Sequence, residues 1–335
     1  MEHVFWLLWR SYTPLAFLIR LVIRPLSWPF ALSSSLFHKM YDKGILKAYE
    51  SSLKVISVGN ITVGGTGKTP FVLALAEFLE EIMPLAIISR GYRSLAENKG
   101  LVIKKGDTDI SRAGDEAMLL FQRLKNPLIC IGKDRIVSLK IAEALGAKLA
   151  ILEDGFQKRS IKRTVDIVLL DGEEPWGHGA FMPSGFLRES PSSLKRADFI
   201  VVPQSFSQGQ LEFLRNFTNA PIIYTSNSYE IALEKGVQVA LFAGIAAPER
   251  FLAAMKSLGF SIVYTKWLRD HAILDKDLLD VIWRRAKSRG AKTLVCTEKD
   301  YVKLPPGLEI PVTFLRIKTH IEPVMGGQLL EKILI

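Results

Sequence analysis

The sequence predicts an α/β fold with a mainly parallel sheet, and three observations support this prediction. Apolar runs of strand length alternate with segments of helical periodicity along most of the chain. Charged clusters follow the ends of these runs, which form the edge where open parallel sheets bind ligands. A glycine-rich loop joins the first run to a helical segment and contains Gly-Lys-Thr at 67–69. We therefore expect a nucleotide-binding core of the P-loop type, with helices on both faces of the sheet.

Composition and charge narrow the choice of partners. The 335 residues are 48% hydrophobic and carry a formal net charge of +10. This length suggests two domains, and this charge favours anionic partners such as a nucleotide or an anionic membrane surface. Nucleic acid is not expected, because the chain has no RNA-binding signature, zinc-knuckle spacing or long Lys/Arg block. Cys130 and Cys296 lie in apolar runs, which predicts buried thiols in a reducing compartment.

Residues 1–50 combine apolar, aromatic and basic side chains. Arg and Pro residues interrupt the apolar run at 3–37, so it does not read as a spanning helix. Large apolar residues at 8, 12, 15, 19, 22 and 26 make one helical stripe, and the Trp residues suit a water–lipid boundary. We expect an amphipathic helix that lies in the membrane surface. The alternative is an ordinary N-terminal helix packed on the core.

The loop after the apolar run 54–58 has the layout of a phosphate-binding P-loop. The standard pattern places its first glycine at Thr62, but this chain has Gly64 and Gly65 inside the loop instead. Lys68 is expected to reach the β- and γ-phosphates, and the Thr69 hydroxyl to ligate Mg²⁺. The predicted cradle comprises Thr62, Val63, Gly64, Gly65, Thr66, Gly67, Lys68 and Thr69.

The remaining elements follow in order. Strands are predicted at 85–89, 128–131, 149–152, 165–170, 199–202 and 222–225, with a hairpin at 101–105 and a helix from 114 to about 124. The alternation restarts near 236, with strands at 239–242, 262–265, 293–296 and 312–317 and helices after 248 and over 275–287. We therefore expect a P-loop core at 51–235 and a smaller C-terminal α/β domain at 236–335.

A P-loop enzyme holds Mg²⁺ with a carboxylate at the end of an apolar strand. Asp154 and Asp171 both follow such strands, and spacing alone does not choose between them. Basic residues near strand ends and in the loop after 171 are candidates for contacts with the phosphate and sugars of a substrate. They are Arg90, Lys133, Arg135 and Arg188.

A kinase also needs a group that receives the proton of the acceptor hydroxyl. Asp115 follows Gly114 at the start of a predicted helix, where it is either that base or an ordinary helix cap. His271, in a loop of the second half, is the imidazole that best suits a partner for Asp115.

Together these motifs resemble the tetraacyldisaccharide 4′-kinase family, the lipid A kinases of Gram-negative bacteria. The resemblance runs from the N-terminal segment to about Leu304. The matching motifs are those at 57–70, 89–92, 114–116, 133–135, 154–157, 187–189, 194–198, 244–245, 248–251, 270–271 and 297–300.

The resemblance implies that ATP phosphorylates the 4′-hydroxyl of a tetraacylated glucosamine disaccharide 1-phosphate to give lipid IV-A, with Mg²⁺ as cofactor. It implies a catalytic dyad of Asp115 and His271, and it selects the strand that ends at Asp154 for the metal. It also implies that the C-terminal domain closes on the nucleotide. The expected partners are the lipid disaccharide and the membrane surface at the cytoplasmic face of the inner membrane, with no obligate protein partner.

The chain departs from the family pattern at a few motif positions. Glu153 replaces the first of two Asp residues, and Lys158, Ala117 and Ala272 replace a His, a Pro and a His. Glu153 keeps the charge of the Asp that it replaces but has a longer reach, and Glu153 and Gln157 are further candidates for the metal site beside Thr69 and Asp154. Two other functions stay open on the residues alone: a membrane-associated P-loop ATPase or switch, and a soluble small-molecule kinase.

Overall fold

The computed structural model describes residues 13–92, 94–107, 112–269 and 272–334. The strands, in chain order, are β1 (Lys54–Gly59), β2 (Leu85–Ser89), β3 (Leu101–Lys104), β4 (Leu128–Ile131), β5 (Leu149–Glu153), β6 (Val165–Leu169), β7 (Phe199–Pro203), β8 (Ile222–Glu230), β9 (Gln238–Ala243), β10 (Ser261–Trp267), β11 (Thr293–Thr297) and β12 (Val312–Ile321). The α-helices are α1 (Pro14–Ile23), α2 (Ser27–Asp42), α3 (Lys68–Leu79), α4 (Asp115–Arg123), α5 (Arg135–Ala144), α6 (Gln208–Arg215), α7 (Pro248–Ser257), α8 (Lys276–Lys287), α9 (Glu298–Tyr301) and α10 (Pro323–Leu334).

The described strands form one 12-stranded sheet in the order β10-β9-β11-β12-β8-β7-β6-β1-β5-β2-β4-β3. All neighbouring pairs are parallel except β3 with β4 and β8 with β12. Strand β1 lies between β5 and β6, so the loop after β1 meets the ends of both neighbours. The predicted α/β fold with a mainly parallel sheet is confirmed.

The apolar side chains of the sheet pack into several buried clusters. Three clusters contain mainly residues before 224 and lie around the P-loop core. Two others contain residues 229–315 and cover the faces of β9, β11 and β12. The division into a core at 51–235 and a C-terminal domain at 236–335 stays a proposal, which these separate clusters support. Helix α10 returns to the first half of the chain, since Leu329 and Ile333 belong to the core around β1.

Several elements differ from the sequence prediction. Residues 101–104 form a strand that pairs with β4, in place of a hairpin at 101–105. Helix α5 begins at Arg135, within the charged segment 133–135. The Asp134 side chain caps it by accepting hydrogen bonds from the N–H groups of Ile136 and Val137. The loop expected after β11 contains the short helix α9, capped by Thr297.

The N-terminal segment is helical from Pro14 to Asp42 and is long and apolar enough to cross a membrane. Signal sequences near an N-terminus share this length and composition. The prolines are accommodated: Pro25 lies in a 3₁₀ turn (Arg24–Leu26), and Pro29 lies in the first turn of α2, where its missing N–H costs nothing. Residues 1–12, with the first part of the predicted apolar stripe, lie outside the described residues.

One side of α2 docks on the core while most of its apolar side chains face outward. The Ser27 hydroxyl donates to the carbonyl of Phe181 at 2.8 Å, and His38 Nε2 lies 3.2 Å from Glu189 Oε2. The segment therefore packs on the protein through one side and presents exposed apolar side chains on the other, and its position in a membrane surface stays a prediction. The exposed large apolar residues of this segment are Leu15, Phe17, Leu18, Ile19, Leu21, Val22, Leu26, Trp28, Leu32, Leu36 and Phe37.

Candidate active site

The loop between β1 and α3 is built for an anion. Gly64 and Gly67 adopt positive φ angles of 123° and 78°, which glycine takes without strain. A Cβ atom added at Gly65 or Gly67 would meet no protein atom within 4 Å, so both glycines border open space. Lys68 is the first residue of α3. The loop thus joins a lysine to the positive end of a helix, as phosphate binding requires.

The chain segment at 186–188 braces this loop from outside. The N–H of Val63 donates to the carbonyl of Phe186 at 2.7 Å, and the N–H of Arg188 donates to the carbonyl of Ile61 at 2.8 Å. Inside the loop, Asn60 Nδ2 donates to the Thr66 hydroxyl at 3.0 Å. These bonds fix the loop shape and bring the Arg188 side chain to the end of β5.

Asp154 lies at the centre of a charged cluster beside Lys68. Both its carboxylate oxygens accept hydrogen bonds from Arg188, at 2.7 and 3.0 Å, and Oδ1 lies 3.6 Å from Lys68 Nζ. Burial raises the pKa of Asp154, but the charges of Lys68 and Arg188 outweigh burial and hold that pKa well below its usual range. The carboxylate is therefore ionised. The buried Arg135 donates to the Asp154 carbonyl at 3.0 Å and supports the residue from behind.

Glu153 faces the P-loop threonine. Its Oε1 accepts from the Thr69 hydroxyl at 3.3 Å and its Oε2 from the Ser89 hydroxyl at 2.7 Å. Burial raises the pKa of Glu153, and the charge of Glu116 adds to that rise. A cation placed here would offset the cost of the buried charge.

The oxygen-rich donor set beside the loop fits a hard cation such as Mg²⁺. Gln157 adds to it, since Nε2 donates to the carbonyl of Asn60 at 2.9 Å while Oε1 is buried without a hydrogen-bond partner. The described residues contain no group of three His, Cys, Asp or Glu side chains that could hold a metal alone. Thr69, Glu153, Asp154 and Gln157 are the residues of this set that would hold the ion.

Asp171, the alternative metal candidate, has a different partner. Its carboxylate accepts from Arg250 at 2.8 and 2.9 Å, and the same guanidinium donates to the carbonyl of Gly65 at 3.2 Å. Arg250 belongs to α7 and thus joins the C-terminal part of the chain to the P-loop. Arg250 was not among the predicted site residues. Its place in the motif at 248–251 could have indicated a functional role. Its contact with the P-loop, however, is visible only in the folded structure.

Asp115 is the first residue of α4, as the sequence predicted. Its carboxylate Oδ2 lies 3.2 Å from the ammonium of Lys303, and Lys303 lies 2.9 Å from Oδ1 of the fully buried Asp300. Lys303 is a second residue that sequence reasoning missed, because it follows the recognised motif at 297–300 and its partner is distant in the chain. The predicted partner of Asp115, His271, lies outside the described residues.

The basic residues predicted to contact substrate lie in two places. Arg135 and Arg188 meet at Asp154, as described above. Arg90 is about half exposed and pairs with Glu97 at 2.7 Å, and Lys133 is exposed, with its backbone N–H donating to the carbonyl of Glu97 at 2.8 Å. Arg90 and Lys133 thus both contact Glu97 at the ends of β2 and β4.

Comparison with known proteins agrees with this architecture. The model of the tetraacyldisaccharide-1-P 4′-kinase family matches residues 19–334. The tetraacyldisaccharide 4′-kinase of Chlamydia caviae is 34% identical, with 84% of this chain and 80% of the relative covered. That of Syntrophotalea carbinolica is 33% identical, with 96% and 93% covered. The crystal structure of LpxK from Aquifex aeolicus, in complex with ATP, superposes with a TM-score of 0.75 at 26% identity and covers 95% of this chain and 100% of its own.

The match by family model spans nearly the whole chain, and the relatives are similar over most of their own length. The resemblance identified from the motifs is confirmed. The chain therefore belongs to the tetraacyldisaccharide-1-P 4′-kinase family and is a phosphotransferase of lipid A biosynthesis.

Proposed function

We propose that this chain transfers the γ-phosphate of ATP to the 4′-hydroxyl of tetraacyldisaccharide 1-phosphate at the membrane surface, with the residue roles given below. The observation that carries the proposal is the position of the loop at 62–69. It meets the charged end of β5 on one side, and Asp115 opens a helix within the same core.

Lys68 and the backbone of the loop receive the phosphates of the nucleotide. The ammonium of Lys68 offsets the negative charge of the β- and γ-phosphates, while the N–H groups at the start of α3 add the positive end of the helix dipole. The cluster around Asp154 supports this role, because the carboxylate keeps the Lys68 side chain at the mouth of the loop.

Thr69, Asp154, Glu153 and Gln157 are the residues that would hold Mg²⁺. Bound there, the ion supplies positive charge that stabilises the transferred phosphoryl group. Asp154 pairs with Arg188 through both carboxylate oxygens. A role as metal ligand therefore requires Asp154 to give up at least part of that pairing. The guanidinium of Arg188 is then available to the phosphate or sugar of the lipid substrate.

Asp115 accepts the proton of the acceptor 4′-hydroxyl, and His271 shares it. Asp115 is only 14% exposed, which keeps bulk water from competing for the proton. Arg90 and Lys133 contribute to binding of the lipid's phosphate and sugars, and Arg135 supports Asp154 in the same region. General-base assistance such as that proposed for Asp115 contributes about 10²–10⁴-fold to turnover.

The acceptor is a lipid, and the N-terminal segment is the surface that meets its membrane. The exposed apolar side chains of α1 and α2 support a helix that lies in the interface. Arg20 and Arg24 are spaced to reach lipid headgroups. We place the enzyme at the cytoplasmic face of the inner membrane, where ATP is present.

The test of the catalytic role is Asp115→Asn, which keeps the shape of the side chain and removes its basicity. We expect kcat for lipid phosphorylation to fall by at least about 10²-fold, with the KM for ATP changed little. The circular dichroism spectrum and melting temperature should stay close to those of the unaltered protein. A kcat equal to that of the unaltered protein would rule out Asp115 as the base.

A further inference from the structure

We propose that Lys303 is a positioning residue for phosphate transfer, which holds the carboxylate of Asp115 at the acceptor hydroxyl. The proposal rests on the role of Asp115 proposed above and adds a residue from the C-terminal part of the chain. It would make the catalytic site depend on contact between α4 and the segment that follows β11.

The position of the Lys303 ammonium is fixed by a buried anion. Asp300 is fully buried, and its Oδ2 accepts hydrogen bonds from the Thr297 hydroxyl at 2.7 Å and from the N–H of Gly244 at 3.0 Å. Its Oδ1 lies 2.9 Å from Lys303 Nζ. A buried carboxylate is stable only when it is paired, and this contact is an ion pair without hydrogen-bond geometry, so Asp300 attracts the Lys303 ammonium through its charge.

The same ammonium reaches across to the core. Lys303 Nζ lies 3.2 Å from Asp115 Oδ2, and the side chains of Lys303 and Asp115 are only 11% and 14% exposed. Because little water screens this pair, the ammonium restrains the position of the carboxylate. The anchored chain from Asp300 through Lys303 to Asp115 therefore orients a group that must meet its substrate within a few tenths of an ångström.

Lys303 is not needed to hold the two helices together. Glu116 pairs with Lys299 at 2.8 Å, and Arg123 pairs with Glu298 at 3.1 Å, so two further ion pairs join α4 to α9. Loss of the Lys303 side chain should therefore leave these two ion pairs between α4 and α9 in place, and its effects should fall on its two partners, Asp115 and Asp300. This separation makes the proposal testable by kinetics.

The test is a double-mutant cycle on kcat with Lys303→Met and Asp115→Asn. We expect Lys303→Met alone to lower kcat by about 10–100-fold, with the KM values for ATP and for the lipid changed less than about threefold. In the Asp115→Asn background the same change should lower kcat less than about threefold, because Lys303 acts through the Asp115 carboxylate. Lys303→Arg should recover most of the activity, since it keeps the positive charge.

Two further variants test whether a loss of kcat comes from misfolding or from a general disturbance of the contact between α4 and α9. Lys303→Met combined with Asp300→Asn leaves no unpaired buried charge, and its kcat should match that of Lys303→Met. Arg316→Met removes the ion pair of Arg316 with Glu298 at 3.2 Å on the same short helix and should leave kcat unchanged.

Three results would overturn the proposal. They are a normal kcat for Lys303→Met, a full multiplicative loss in the Asp115→Asn background, and an equal loss in Arg316→Met. If Asp115→Asn itself turns over normally, the proposed base role fails and the positioning role fails with it. If Asp115→Asn is inactive but Lys303→Met is not, only the positioning role fails.

Discussion

At the scale of single residues, the positions of β5 and β6 explain why sequence spacing could not distinguish Asp154 from Asp171 as the metal ligand. Both strands flank β1, so Asp154 and Asp171 both follow strands that lie next to the P-loop strand. Their partners distinguish them. Asp154 contacts Lys68, whereas Asp171 binds Arg250 of α7.

This difference predicts that only the Asp154 carboxylate affects the Mg²⁺ requirement. Asp154→Asn should raise the Mg²⁺ concentration for half-maximal activity by about tenfold or more, because a carboxylate ligand becomes a neutral amide. Asp171→Asn is the matched control and should leave that concentration unchanged, even if loss of the Arg250 pair lowers kcat. The measurement is a Mg²⁺ titration of initial rates at saturating ATP. A shift in Asp171→Asn with none in Asp154→Asn would reverse the assignment.

Much of the nucleotide side of the site could be predicted from the sequence, because its residues are consecutive. The glycine and lysine positions within residues 62–69 are enough to predict a phosphate-binding loop. Lys303 and Arg250 could not be predicted, because each acts on a residue far away in the chain. No local sequence pattern indicates that Lys303 contacts Asp115 or that Arg250 contacts Gly65.

At the scale of elements, the strands were the most predictable parts. Runs such as 85–88 and 149–152 are apolar throughout because both faces of their strands are buried. Helix α10 was missed, since Gly326 and Gly327 disfavour a helix and only packing of Leu329 and Ile333 on the core compensates. The antiparallel pairing of β3 with β4 was missed because residue spacing does not report a strand's partner.

The N-terminal helices carry a prediction about membrane binding. Leu18 and Val22 lie one turn apart on α1 and are 56% and 72% exposed. Leu18→Asp with Val22→Asp should lower co-sedimentation with phospholipid vesicles by about tenfold, because two charges would enter the apolar boundary.

The matched control is Leu145→Asp, an exposed apolar residue (48%) at the end of α5. It should leave vesicle binding unchanged. Equal binding by the Leu18/Val22 double variant and the unaltered protein would contradict an interfacial role for α1.

At the scale of the whole molecule, the sheet continues without a break from the P-loop core to the C-terminal strands. The antiparallel pair of β8 with β12 joins the two parts. Arg250 contacts the P-loop, and Lys303 contacts Asp115. The C-terminal part therefore touches both the side that receives the nucleotide and the residue proposed to activate the acceptor.

Family membership and the site together make phosphate transfer to a lipid hydroxyl the central claim. The direct measurement is incubation of the purified protein with ATP, Mg²⁺ and tetraacyldisaccharide 1-phosphate in detergent micelles, with mass spectrometry of the lipid. We expect a lipid product that carries one additional phosphate, located at the 4′ position, and no such product when Lys68→Met replaces the unaltered protein. Hydrolysis of ATP without any phosphorylated lipid would contradict the claim.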